Sequence, residues 1–135
     1  LFEYLVTQNN AITGRVEVKN QGTATSGASF SLKHFTLTGN AMQIIPQLNE
    51  KFDLVFIDAD KRNYALYFDL VIDKMRPGGL ILVDNVLWSG KIIEEAAKDK
   101  STQALRDFNT KVANDSRVEP LLLPIRDGLF LLRVI

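Results

Sequence analysis

The chain has 135 residues, 46% of them apolar and 24% charged, which suits one folded domain around one core. Basic and acidic residues balance at 16 each, which leaves no electrostatic footprint for nucleic acid or a membrane surface, and no apolar run approaches the roughly 20 residues of a membrane span. Cysteine is absent, which removes disulfides and zinc–thiolate sites and fits a reducing, cytoplasmic setting without a secretory leader.

The pattern changes near residue 35. Residues 1–34 are rich in Thr, Ser, Asn, Gln and Gly. The apolar run 1–6 is helix or strand, and the pattern does not choose. Residues 14–20 alternate and predict a strand. Residues 21–29 form a small-residue loop, of a kind that lets a backbone approach a cofactor closely but more often is a plain connection. Residues 29–37 alternate and then slip phase at Phe35, which predicts an extended segment with an irregularity. The lone His34 there is best read as structural.

From residue 35 the reading is α/β. A strand ends at Gly39, and a short helix follows over 41–48, limited by Pro46. Residues 52–58 form a buried strand. Residues 62–75 carry apolar side chains at helical spacing, stopped by Arg76-Pro77-Gly78-Gly79. A second buried strand covers 80–84. Residues 101–115 predict a helix with Ser101 or Thr102 as N-cap. The apolar runs 118–125 and 128–135, joined through Asp127-Gly128, predict an antiparallel hairpin. The expected architecture is one α/β domain over 1–135. It has a parallel core of about three strands, flanked by helices, and is otherwise parallel up to the C-terminal hairpin. The segment 1–34 is expected to add one or two strands to the exposed edge, or else to leave an edge that a second copy covers, as a dimer or a segment exchange.

The chemistry concentrates in residues 52–90. Asp58 and Asp60 follow the first buried strand, and Asp84 and Asn85 end the second. Ligands bind at the carboxyl ends of strands in open α/β sheets. Asp58, Asp84 and Asn85 therefore offer hard oxygen donors for Mg²⁺ or Ca²⁺. One histidine and no cysteine disfavour a soft or borderline metal. A single aspartate at a strand end more often just accepts turn hydrogen bonds, but the clustering of Asp58, Lys61, Asp84 and Asn85 outweighs that reading. Lys61 is either a general base, since a lysine beside a metal loses its proton more easily, or a solvated lysine at a helix start. Trp88 is an apolar wall for a flat ligand or a core anchor, and Tyr64 has the same two readings.

The stretches FDLVFIDADKRNY, RPGGLILVDNVLWSG and LLLPIRDGLFLLRV resemble class I S-adenosylmethionine-dependent O-methyltransferases of the cation-dependent catechol and caffeoyl-CoA type, over about residues 35–135. The resemblance implies a Rossmann-like methyltransferase sheet. It implies a cation on Asp58, Asp84 and Asn85, with Lys61 as the catalytic base. Asp58, Asp60, Tyr64 and Trp88 would lie near the cofactor or acceptor. Gly39, Asn40 and Ala41 would border the adenine, with an amide where the family has a carboxylate. The implied cofactors are S-adenosylmethionine with Mg²⁺ or Ca²⁺, and the partner is a small hydroxylated aromatic acceptor. The resemblance also implies a longer N-terminal part, with a Glu-x-Gly-x-x-Thr-Gly-like loop and a further strand ending in an acidic ribose ligand. Here residues 20–29 echo that loop with Asn20 in place of the glutamate and one residue inserted. Truncation, excision of a segment and an engineered chimera all fit, and so does a catalytically silent domain without cofactor binding. A phosphoacceptor domain with Asp58 as its acceptor lacks the upstream acidic pair and the later lysine that it needs.

Overall fold

The structure, a computed structural model, describes residues 2–8, 11–18 and 31–135. Seven strands among these residues form one sheet: β1 (Phe2–Gln8), β2 (Ala11–Val18), β3 (Ser31–Thr38), β4 (Phe52–Asp58), β5 (Met75–Asp84), β6 (Val118–Leu123) and β7 (Leu129–Val134), in the order β3-β2-β1-β4-β5-β7-β6. The helices are α1 (Ala41–Ile44), α2 (Tyr64–Ile72) and α3 (Lys100–Ala113).

Within the run at residues 1–6, Phe2 onward is thus strand. Strands β1, β4 and β5 are mutually parallel, while β6 and β7 form the antiparallel hairpin and β7 pairs antiparallel with β5. The remainder of the sheet is not all parallel: β2 runs against both β1 and β3. The cause lies in the connection. Only residues 9–10 separate β1 from β2, and parallel neighbours need a crossover of about a dozen residues or more. The N-terminal strands also do not extend the outer edge; they stand between β3 and β4. Two reversals bring β3 back to the direction of β4, so Gly39 emerges at the same end of the sheet as Asp58 and Asp84. Strand β3 pairs with β2 without a register shift from Ser31 to Thr38, so the expected irregularity is absent. The loop over 21–29, the Asn20–Ser29 echo and the His34 side chain lie outside the described residues.

Other boundaries moved for local reasons. The helix expected over 62–75 begins as a 3₁₀ turn, Lys61–Asn63, and ends at Ile72, because Met75 already pairs with Phe52 and the Phe52 amide donates to the Lys74 carbonyl. Strand β5 therefore takes in Arg76–Gly79, with a register shift between Phe52 and Leu54. The N-cap of α3 is Asp99, not Ser101 or Thr102. Its carboxylate accepts both the Ser101 and Thr102 amides at 3.1 and 3.0 Å and the Thr102 hydroxyl at 2.6 Å, which lowers its pKa.

The core lies on one face of the sheet. Val55, Ile57, Ile81, Val83, Phe130 and Leu132 point into it, against Tyr64, Phe68 and Val71 of α2 and Leu105, Phe108 and Val112 of α3. Alternation sends Leu54, Phe56, Leu80, Leu82 and Leu131 to the opposite face, where they are half-buried. No described helix packs its core residues against that face.

Two features make measurable predictions. Gly128 sits at φ +80 in the β6–β7 turn, and a Cβ there would collide with Leu87 Cγ and stand 3.0 Å from the Leu87 amide nitrogen. Gly128→Ala is expected to cost about 2 kcal/mol or more, from left-handed backbone and overpacking together, measured by urea unfolding. At the α3–β6 junction, Asp115 accepts from the Arg117 guanidinium at 2.7 and 3.0 Å and from the Arg117 amide at 3.0 Å. These bonds push its carboxyl down from 3.8 to about 2. A carboxyl depressed in the folded state stabilises above its unfolded pKa and stops doing so as pH falls through the folded value. Asp115→Asn should therefore destabilise by about 1 kcal/mol at pH 7, and the gap to the native chain should close between about pH 4 and pH 2.

Candidate functional site

The carboxyl ends of β4 and β5 meet around one amine. Lys61, in the 3₁₀ turn after β4, donates to Asp58 Oδ1 at 3.2 Å, to Asn85 Oδ1 at 2.9 Å and to the Tyr64 hydroxyl. These acceptors take up the three N–H bonds of an ammonium. The Lys61 side chain is 10% exposed and that of Asp58 27%, so the cluster opens to solvent mainly along the carboxylate.

Each partner is fixed by its own element. Tyr64 opens α2, is fully buried, and donates its hydroxyl to the Asp84 carbonyl at 2.9 Å. Burial, with Asp58 next in weight, raises its pKa far above the ordinary phenol value, so it stays a neutral hydroxyl. Asn85 takes φ +59, a left-handed conformation that asparagine tolerates, and this breaks the strand after Asp84. The Asn85 amide donates to Asp84 Oδ1 at 2.7 Å. Two of the three expected metal donors, Asp58 and Asn85, thus converge on one cationic centre, the Lys61 amine itself. Asp84 adjoins them with one carboxylate oxygen turned onto its own chain. The donors are two carboxylates and an amide, a hard-oxygen set that fits Mg²⁺ or Ca²⁺. Among the described residues no trio of His, Cys, Asp and Glu forms a metal cage.

Trp88 stands at the wall of this cluster, its ring centroid 5.9 Å from Lys61 Nζ. Trp88, Ser89 and Gly90 all take positive φ, at 51, 54 and 81°. The turn is tied to the β6–β7 turn, where the Leu87 amide donates to the Asp127 carbonyl at 2.9 Å and the Ser89 amide to the Asp127 carboxylate. The indole N–H is buried and has no partner among the described residues.

A recess of about 480 Å³ lies beside the cluster, lined by Gly39, Asn40, Met42, Asp60, Asn63 and Tyr67. Asn40 is the N-cap of α1, its side chain accepting the Met42 amide at 3.0 Å. Ala41 is buried beneath it. Asp60 accepts from Asn63 at 2.9 Å and from the Tyr67 hydroxyl at 3.1 Å. Burial first, then Asp60, pushes the Tyr67 phenol up to about 12. Tyr67 was not singled out in the sequence. Its place on the apolar stripe of α2 hid it, and the only cue was a hydroxyl three residues beyond Tyr64. A second opening, of about 450 Å³ and lined by residues that include Pro46, Lys51, Asp69 and Lys74, holds none of the candidate residues.

A family model described as O-methyltransferase matches residues 17–135. The chain belongs to the O-methyltransferase family. The match begins ahead of Phe35, so it takes in the last two residues of β2, Glu17 and Val18, and all of β3. Over 90 residues the chain is 40% identical to a catechol O-methyltransferase of Niastella koreensis, covering 64% of this chain and 41% of that protein. Over 107 residues it is 38% identical to caffeoyl-CoA O-methyltransferase 5 of Nicotiana tabacum, covering 70% and 45%. An O-methyltransferase of Bacillus cereus, solved in complex with SAH, superimposes with a TM-score of 0.66 at 32% identity, over 73% of this chain and 49% of that one. The chain thus spans under half the length of these relatives. Its Rossmann-like methyltransferase sheet is the fold they share.

Proposed function

We propose that this chain carries the chemistry half of an S-adenosylmethionine-dependent, cation-assisted O-methyltransferase acting on a catechol-like hydroxyl. One observation carries the reading: Asp58, Asn85 and Lys61 converge at adjacent strand ends, beside the recess of Gly39, Asn40 and Asp60. The names of the relatives, catechol and caffeoyl-CoA O-methyltransferase, support the acceptor class.

Asp58, Asp84 and Asn85 would hold a divalent cation, which when bound draws in the acceptor oxygens and eases ionisation of a hydroxyl. Gly39, Asn40, Ala41 and Asp60 would border the cofactor, with Tyr67 holding the Asp60 carboxylate in place. S-adenosylmethionine when bound supplies an electrophilic methyl group. Lys61, in its neutral amine form, would take the acceptor proton at Nζ and become the ammonium. Trp88 shields that nitrogen with an apolar ring, and Tyr64, locked to the Asp84 carbonyl, fixes where the amine stands. Much of the rate would come from this positioning. The balanced charge and lack of cysteine suit a cytoplasmic setting. The half-buried leucines on the open sheet face suit a homodimer or exchanged dimer, checked by sedimentation equilibrium.

Titration of the chain with S-adenosylmethionine in a calorimeter, with and without Mg²⁺, tests the reading. Heat that depends on Mg²⁺ is expected, and its absence at millimolar sites overturns the proposal. One observation favours a second reading, a catalytically silent domain: Lys61 itself occupies the oxygens of the cation set. Methyl transfer to a catechol above the rate of an Asp58→Ala variant would refute that alternative.

A further inference from the structure

The segment after Trp88 is gathered by a residue that lies outside the cluster. Arg106, on the second turn of α3, donates to four main-chain carbonyls of that segment. Nε reaches Ile92 at 2.8 Å, Nη1 reaches Ala97 at 2.9 Å, and Nη2 reaches Lys91 at 3.0 Å and also Glu94. The guanidinium thus spends its fork on backbone and not on a carboxylate, a use that lysine cannot copy. Three residues on, Asn109 donates to the Val86 carbonyl at 2.9 Å, on the other flank of Trp88.

What this holds is a conformation that L-residues rarely adopt unaided. Trp88 and Ser89 are both left-handed, and the segment from Ile93 to Ala96 is largely exposed, with no core side chain of its own. Trp88 and Ile92 pack against the core, while the exposed stretch beyond them is held by hydrogen bonds from α3 to its main chain, and the Ser89 amide by Asp127. The consequence falls on the indole over Lys61.

We infer that Arg106 is a positioning residue, which sets the Trp88 turn by gathering the carbonyls of Lys91 to Ala97 and so holds the indole against the Lys61 amine. Its effect on turnover rests on the methyltransferase reading above; its effect on Trp88 does not. Trp88 is the only tryptophan in the chain, so emission reports this one ring.

The experiment compares the native chain with Arg106→Gln, Arg106→Lys and, as a control on the far hairpin, Arg133→Gln. Emission wavelength and acrylamide quenching of Trp88 are read first. Arg106→Gln is expected to shift emission to the red and raise quenching, Arg106→Lys to do so by less, and Arg133→Gln to leave both unchanged. Kinetics with a catechol, Mg²⁺ and S-adenosylmethionine are read second. Arg106→Gln should lower kcat/KM for the catechol by about 10²-fold, as misplacement of a site wall by about 1 Å does, while the KM for the methyl donor holds. If Arg106→Gln leaves emission and quenching as in the native chain, the inference is overturned. Should that variant not fold, Arg106→Lys decides by the same two readings. If emission moves and no chain transfers a methyl group, the positioning role stands and the methyltransferase reading falls.

Discussion

Replacing Lys61 with methionine is expected to lower methyl transfer by about 10²–10⁴-fold while leaving Mg²⁺ binding intact or tighter. The two halves of that expectation come from one geometry. The amine donates to Asp58 Oδ1 and Asn85 Oδ1, two of the oxygens that a cation would need. An ammonium beside those oxygens competes with a divalent ion for the same lone pairs and repels it. Methionine keeps the apolar stem against Tyr64 and Trp88 and removes both the competition and the base. Asp58→Ala should behave in the opposite order, losing Mg²⁺ first and turnover as a result. Isothermal titration with Mg²⁺ and a methyl-transfer assay, run on both variants, separate the roles. If Lys61→Met transfers methyl at the native rate, the amine is a structural tie between β4 and β5, and the assignment of Lys61 as base fails.

Much of this site was legible because short, regular elements carry it. The strand 52–58 was marked by its run of β-branched and aromatic residues, and the structure places Phe52–Asp58 there. Asp58 and Lys61 are three residues apart across a tight turn, so their meeting follows from spacing alone. That Asn85 also meets Lys61 depended on β4 and β5 being adjacent and parallel, which the two apolar runs implied. What stayed hidden was tertiary. Arg106 and Asn109 read as the polar face of a helix, because a donor's target is invisible when it is a backbone carbonyl 9 to 23 residues away. Asp99 was passed over as a cap because Ser101 and Thr102 stand closer to the apolar periodicity, yet its carboxylate accepts the amides of both. The direction of β2 was missed because strand patterns carry no polarity; the two-residue link at 9–10 carried it. Residues 76–79 read as a helix stop, but the helix ends at Ile72, and Met75 already pairs with Phe52 before those residues are reached.

Phe108→Ala is expected to be the most damaging single change to the fold, at about 3–5 kcal/mol of unfolding free energy. Phe108 is fully buried on α3 and stacks edge-on against Tyr64 at 5.6 Å and Phe68 at 6.4 Å, both on α2. The ring is therefore the main apolar link between the two long helices. Its loss removes buried area and two aromatic contacts, and it leaves a cavity that helices tied to the sheet cannot close. The damage should also reach the chemistry. Tyr64 holds its hydroxyl between Lys61 and the Asp84 carbonyl only while its ring is pinned from below. Phe108→Leu, which refills most of the volume without the quadrupole, should recover more than half of the lost stability. Urea unfolding gives the first number. Trp88 emission, read under native conditions on the folded fraction, gives the second: a shift in Phe108→Ala that Phe108→Leu reverses would show that the helix pair, and not the sheet alone, sets the floor of the site.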